Sequence, residues 1–326
     1  MKHFALLCVG VALLAACRQA DDVVVCGPTA TASFADLRAA APAVQKFSFN
    51  LAQAQSFRTS GGATVAFSAN AYLLPNGSVA TGQAELRVRE LYAVPDMLLA
   101  DMPTTAQSSR QLLVSGGEFN FQVWQGSTRL RMGNGSPTGV IQRLLLTSPV
   151  PAAGLDTTRM LLWKQPASSL ADMGADSSGW QLLYNTTAAT TAPVPPVRVP
   201  AVGGYYTAAL PLDSVGNWNI DQYWHAYQTA QRGNIGVEVP TATRTHVYFR
   251  PVGFNGLARG FAANTPTTRW NGYLPFGSDV IAVVLQERGG QLYYGTQRIT
   301  TAANQVISPA LEALSAAEII RRVRQL

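Results

Sequence analysis

Ala84-Glu85-Leu86-Arg87-Val88-Arg89 decides the fold class. Three apolar residues alternate with three charged ones. That is the two-residue period of a strand with one face on a core and the other in water. The pattern spreads outward from there. Phe47 and Phe49 alternate with Lys46, Ser48 and Asn50, and Val65 and Phe67 share one side of residues 63–69. Phe119, Phe121 and Val123 point inward from residues 118–124, with further short strands at 112–114 and 128–132. Asn76-Gly77 is a turn signal because both residues accept positive φ. Ser115-Gly116-Gly117 is expected to break residues 112–114 from 118–124, and Gly133-Asn134-Gly135 to close 128–132. Short strands at regular turn signals predict a β-sandwich.

The second half repeats the theme. Residues 160–163, 180–184, 218–224, 235–239, 245–252, 280–286 and 292–294 read as strands. Arg288-Gly289-Gly290-Gln291 reads as the hairpin turn between the last two. The chain closes in a helix: Ser315 and Glu318 form a capping box, and Ile319, Ile320, Val323 and Leu326 an apolar stripe. Residues 186–200 are rich in Thr, Ala and Pro, a stiff extended linker. The expectation is a mainly β chain of two β-sandwich-like domains with a short C-terminal helix. The N-terminal sandwich spans 46–150, an irregular β segment and linker 151–200, and the C-terminal β domain 201–326.

The first 45 residues carry an address. Lys2 and His3 precede an apolar run over residues 4–14, far shorter than the roughly 20 residues of a membrane-spanning helix. Leu14-Ala15-Ala16-Cys17 resembles the lipobox of bacterial lipoproteins. That resemblance implies a signal peptide over 1–16 and lipidation of Cys17. Acyl chains would then hold the protein, each buried CH₂ contributing about 0.8 kcal/mol. Residues 17–45 read as a flexible tether. Within it, residues 34–41 are able to form a helical turn, and Asp21-Asp22 resembles a weak surface-export signal. The expected address is the outer membrane, lipid-anchored, with a surface-facing alternative.

Composition narrows the chemistry. Hydrophobic residues make up 47% and charged residues 13% of the 326, which argues against disorder. The net charge of +6 comes without an Arg- or Lys-rich run, so nucleic acid is not an expected partner. Cys8 would leave with the leader and Cys17 would be lipidated. Cys26 then stands alone, without a disulfide or a cysteine metal site. Two histidines remain, His225 and His246, with no zinc-protease spacing between them. Nucleophile-elbow, calcium-loop and phosphate-loop patterns are likewise missing, so no catalytic residue, metal or cofactor is assigned. One cluster stands out: Trp218, Tyr223, Trp224 and Tyr227 with Asn217, Asn219, Asp221 and Gln222 among them. Aromatic faces beside amides and carboxylates suit sugar binding; the same alternation also suits core packing.

The runs Ala69-Asn70-Ala71-Tyr72, Glu90-Leu91-Tyr92, Asp96-Met97-Leu98-Leu99 and Leu112-Leu113-Val114-Ser115-Gly116-Gly117-Glu118-Phe119 resemble a group of uncharacterised Bacteroidota-type cell-surface lipoproteins. Gly216-Asn217-Trp218-Asn219-Ile220-Asp221 and Leu274-Pro275-Phe276-Gly277 continue the likeness. It implies β-sandwich domains behind a lipid anchor and supplies no catalytic residues. The expected role is a non-enzymatic envelope binding or interaction module with a glycan or envelope protein as partner. A carbohydrate-binding surface protein and an accessory hydrolase of envelope polymers are the alternatives.

Overall fold

The computed structural model describes residues 32–133, 144–151, 156–165, 179–184, 196–210, 216–264 and 267–326, apart from the side chain of Tyr227. The leader over 1–16, Cys17, Asp21-Asp22, Cys26 and most of the Pro/Thr-rich linker lie outside the described residues.

The chain is mainly β. Its first elements are α1 (Phe34–Ala39), β1 (Gln45–Asn50), β2 (Gln55–Arg58), β3 (Thr64–Phe67), β4 (Tyr72–Leu73) and β5 (Gln83–Leu91). Next come α2 (Val94–Ala100), β6 (Leu113–Gln125), β7 (Thr128–Met132), β8 (Leu144–Pro149), β9 (Leu161–Lys164) and β10 (Gln181–Leu182). Then follow β11 (Ala201–Val202), β12 (Tyr205–Leu210), β13 (Gly216–Tyr223), α3 (Ala226–Thr229), β14 (Arg232–Glu238), β15 (Arg244–Pro251) and β16 (Ala258–Arg259). The last are β17 (Phe261–Ala262), β18 (Arg269–Pro275), β19 (Asp279–Arg288), β20 (Gln291–Thr300), β21 (Val306–Ile307), β22 (Glu312–Leu314) and α4 (Ala316–Val323).

Among the described residues, four sheets make two layered halves. The first half stacks the sheet β1-β5-β6-β13-β9-β10, extended by β7 and β4, against β11-β12-β8-β3-β2. Leu86, Val88, Phe119, Phe121, Trp218 and Ile220 meet Val65, Leu146 and Tyr206 in the core between them. The second half stacks β17-β18-β14-β21 against β16-β15-β19-β20-β22 over Ile235, Val237, Phe249, Val280, Ala282 and Val284. Among the described strands the pairing is antiparallel except for β14 with β21.

A third core joins the halves. α1, α2 and α4 contribute Phe34, Leu37, Met97, Leu98, Ile319 and Val323. They meet Tyr248, Val283 and Leu285 on the back of β15 and β19, and Leu91, Leu113 and Trp163 from the first half. β19 is therefore covered on both faces, which accounts for its continuous run Val280-Ile281-Ala282-Val283-Val284-Leu285. The terminal helix has its expected cap: Ser315 Oγ accepts from the Glu318 N–H at 3.2 Å.

Three expectations need correction. Ser115-Gly116-Gly117 does not end a strand. β6 runs through it for 13 residues, with a register shift opposite Asn219 and Asp221. This is a bulge made possible by glycine: a Cβ on Gly116 would lie 2.9 Å from the Ile220 carbonyl oxygen and 2.9 Å from the Tyr206 ring, and Gly117 has φ of +137°. Secondly, residues 201–223 are not part of the C-terminal half. β12 pairs with β8 and β13 with β6, so the chain changes halves only after Tyr223. Tyr184 and Pro196, on either side of the linker, pair with each other beside β9, so both flanks belong to the first half, which composition does not distinguish from a domain break. Thirdly, residues 32–45 are not tether. α1 buries Phe34 and Leu37, and β1 begins at Gln45.

A Gly116→Ala change is expected to lower stability by about 1–3 kcal/mol, because the methyl group meets backbone on one side and a packed ring on the other. Thermal melts followed by circular dichroism test this. An unchanged melting temperature would show that the bulge relaxes freely.

Candidate binding groove

The seam between the halves is stitched through backbone. Thr104 N–H donates to the Leu257 carbonyl at 2.8 Å, and Leu113 N–H to the Thr104 carbonyl at 2.7 Å. The Thr104 hydroxyl accepts from Leu257 N–H at 2.9 Å. Asn255 Nδ2 donates to the Tyr92 and Ser115 carbonyls at 2.9 and 3.0 Å. These bonds fix the loop that leads into β6 against the loop between β15 and β16. Open hollows lie along the seam, built from side chains of both halves.

One holds about 610 Å³ and is lined by Gln107, Arg110, Arg259, Phe261 and Trp270 among others. A second, of about 390 Å³, shares Arg110 and Phe261 and adds Gln111, Asn234 and Tyr273. A third, of about 520 Å³, shares Ser109 and Gln111 and adds Tyr223, Gln228 and Arg232. A fourth, of about 400 Å³, shares Tyr223 and adds Asp156, Arg159, Gln222, Trp224, His225 and Phe254. Each hollow shares wall residues with the next, so together they form a discontinuous groove. Its lining alternates rings with amides and guanidiniums.

Local bonding sets these side chains. The loop closes through Arg110 N–H on the Ala106 carbonyl and Ala106 N–H on the Gln111 carbonyl. Arg110 sits at φ of +55° and is exposed, with its guanidinium carbon 4.2 Å from the Phe261 ring centroid. Trp224 packs on Phe254 with centroids 4.8 Å apart, and Tyr223 meets Trp163 edge-on at 5.2 Å. Arg232 Nε donates to the Tyr273 hydroxyl at 3.1 Å. Asp156 and Arg159 form an exposed pair at 3.0 Å.

The aromatic cluster seen in the sequence therefore divides. Trp218 faces the core of the first half and is fully buried, so it is a packing residue. Tyr223 and Trp224 are half-buried and line the groove. Tyr227 falls on α3, and its side chain lies outside the described residues. Arg110, Phe261 and Trp270 are groove residues that sequence reading passed over; nothing local distinguishes them, since the seam unites positions far apart in sequence.

One carboxylate carries the geometry of the seam. Asp101 caps α2 in the left-handed region, φ +56°, and is buried. It accepts from the Tyr248 hydroxyl at 2.6 Å, Arg259 at 2.7 Å and Arg38 at 3.3 Å. His246 Nδ1 stands 3.5 Å away and 3.1 Å from the Tyr248 hydroxyl. Burial drives the His246 pKa down to about 4 against the pull of Asp101, so the ring is neutral at physiological pH.

Two other carboxyls meet, but inside the protein. Glu118 and Asp221 are fully buried on neighbouring strands, and Asn219 Nδ2 donates to both, reaching Glu118 at 3.5 Å. Burial pushes both pKa values well up, and the charge of Asp221 raises Glu118 further. Burial thus favours the neutral acid over the carboxylate at both positions. No group of three or more His, Cys, Asp or Glu side chains suited to a metal ion occurs among the described residues. No described helix is long and apolar enough to cross a membrane. No family model matches the chain, and no curated protein matches it significantly.

Two outcomes follow from these groups. Asp101→Asn is expected to cost on the order of 3 kcal/mol, since Arg259 and Arg38 lose their counter-charge in a buried setting. Urea unfolding measures it, and a loss below about 0.5 kcal/mol would remove Asp101 from its proposed place. For Glu118 the folded pKa lies above the unfolded one. The native state therefore binds the extra proton, and stability falls as pH rises from about 4.5 toward the folded value. Glu118→Gln is expected to melt higher than the parent at neutral pH, with a gap that widens as pH rises above about 4.5. A pH-independent gap would contradict this.

Proposed function

We propose that this protein is a non-enzymatic envelope binding module whose ligand is an extended glycan, held in the groove between its two β halves. The observation that carries the reading is the chain of hollows in which Trp270, Phe261, Tyr273, Tyr223 and Trp224 recur among Gln, Asn, Ser and Arg side chains. Ring faces suit the apolar faces of sugars, and amides and guanidiniums suit their hydroxyls. An elongated groove suits a polymer better than a single small molecule. Binding is favoured over hydrolysis because the carboxyls that do meet, Glu118 and Asp221, are sealed in the interior. Among the described lining residues Asp156 is the one carboxylate, and it is already paired with Arg159. The address proposed with this role is the outer membrane, through acyl chains on Cys17, resting on the lipobox-like Leu14-Ala15-Ala16-Cys17.

The test is a polysaccharide panel in affinity gels, run with the parent and with Trp224→Ala and Phe261→Ala. Each substitution is expected to weaken a bound glycan roughly two- to tenfold while the variant keeps the parent's far-UV circular dichroism spectrum. No binding by the parent to any polymer, or binding indifferent to both substitutions, would end this reading. Mass spectrometry of the N-terminal peptide tests the address separately: an acylated peptide starting at Cys17 is expected, and an unmodified thiol there would contradict it.

A further inference from the structure

We infer that the groove selects an acidic glycan, with Arg110 as the residue that recognises its carboxylate or sulfate groups. The inference rests on the glycan reading above and adds the charge class of the ligand.

The groove is electrostatically lopsided. Arg110, Arg259 and Arg232 line the three hollows on the β18 side, and no carboxylate lines them among the described residues. Behind the wall, Asp101 is shared by Arg259 and Arg38, so two guanidiniums face one carboxylate. At the other end Asp156 and Arg159 neutralise one another beside Trp224 and Phe254. A polymer lying along the seam would meet neutral stacking surface at one end and positive charge at the other.

Arg110 is placed for recognition. It is exposed, makes no ion pair among the described residues, and lines both hollows around Phe261. Its guanidinium is spread over the Phe261 ring at 4.2 Å. Stacking holds the plane of the fork while leaving its edge for a planar, bidentate partner. A uronic acid carboxylate or a sugar sulfate is such a partner. Trp270 lines the same hollow and adds a ring surface beside the Phe261–Arg110 stack.

The experiment compares polygalacturonate with the neutral polymer made by reducing its carboxyl groups, using affinity gels at low and physiological salt. The parent is expected to bind the acidic polymer at least about tenfold more tightly, with the preference shrinking as salt rises. Arg110→Gln is expected to abolish most of that preference. Arg131→Gln makes the same charge change at an exposed position on β7, outside the groove lining, and is expected to keep it. Equal binding of the two polymers, or equal loss in both variants, overturns the inference while the glycan reading stands. Binding of neither, with a neutral hit elsewhere in the panel, overturns the inference alone. No binding to any glycan removes both.

Discussion

Two guanidiniums, a phenol and an imidazole converge on the carboxylate of Asp101, and the relation between the two β halves depends on that convergence. Arg38 arrives from α1, Tyr248 and His246 from β15, and Arg259 from β16. Asp101 itself ends α2 in a left-handed conformation, which aspartate tolerates better than most residues. A buried charge is costly unless it is bonded on several sides. Here the requirement for partners becomes a geometric constraint, because the partners come from elements far apart in the chain. His246 stays neutral beside them, so the site does not gather a third positive charge at physiological pH.

The helices complete the constraint by burial. α1, α2 and α4 cover the back of the β15–β19–β20 sheet, and the same apolar cluster reaches Leu113 and Trp163 in the first half. Arg324 at the end of α4 reaches Asp96 in α2 and the Ala40 carbonyl beyond α1. The halves are thus joined by a core as well as by hydrogen bonds. A joint of that kind holds the groove walls in place.

Strand content was legible because it rests on local alternation. Residues 84–89, the Gly289-Gly290 turn with positive φ at both residues, and the Ser315 cap read the same way in sequence and structure. The bulge at Gly116 was not legible as such. A glycine pair signals both a strand end and a bulge, and only the Ile220 carbonyl and the Tyr206 ring across the sheets decide between them. The helix α2 lies in Val94-Pro95-Asp96-Met97-Leu98-Leu99-Ala100, an apolar run whose Pro at the first turn was the available signal. Tyr223 and Trp224 were found because they are adjacent in sequence. Trp218 shares their composition but lies well inside β13, in the core of the first half, whereas Tyr223 ends the strand and Trp224 follows it at the seam. Arg110, Phe261 and Trp270 come together only through tertiary pairing, so no window of sequence contains them.

Rigidity at the seam bears directly on the proposed recognition. A flexible polymer loses much of its freedom on binding, and a site that must also order itself loses more. The groove avoids the second cost, because its two walls belong to elements already tied by Thr104, Asn255 and Asp101. The same logic explains where polar groups are spent. Glu118 and Asp221 lie inside, where burial favours their neutral forms and keeps their charge out of the groove. Asp101 offsets Arg259 and Arg38 from behind the wall. Arg110 is left exposed with no counter-charge among the described residues, so the field along the groove is set by what the fold buries as much as by what it displays.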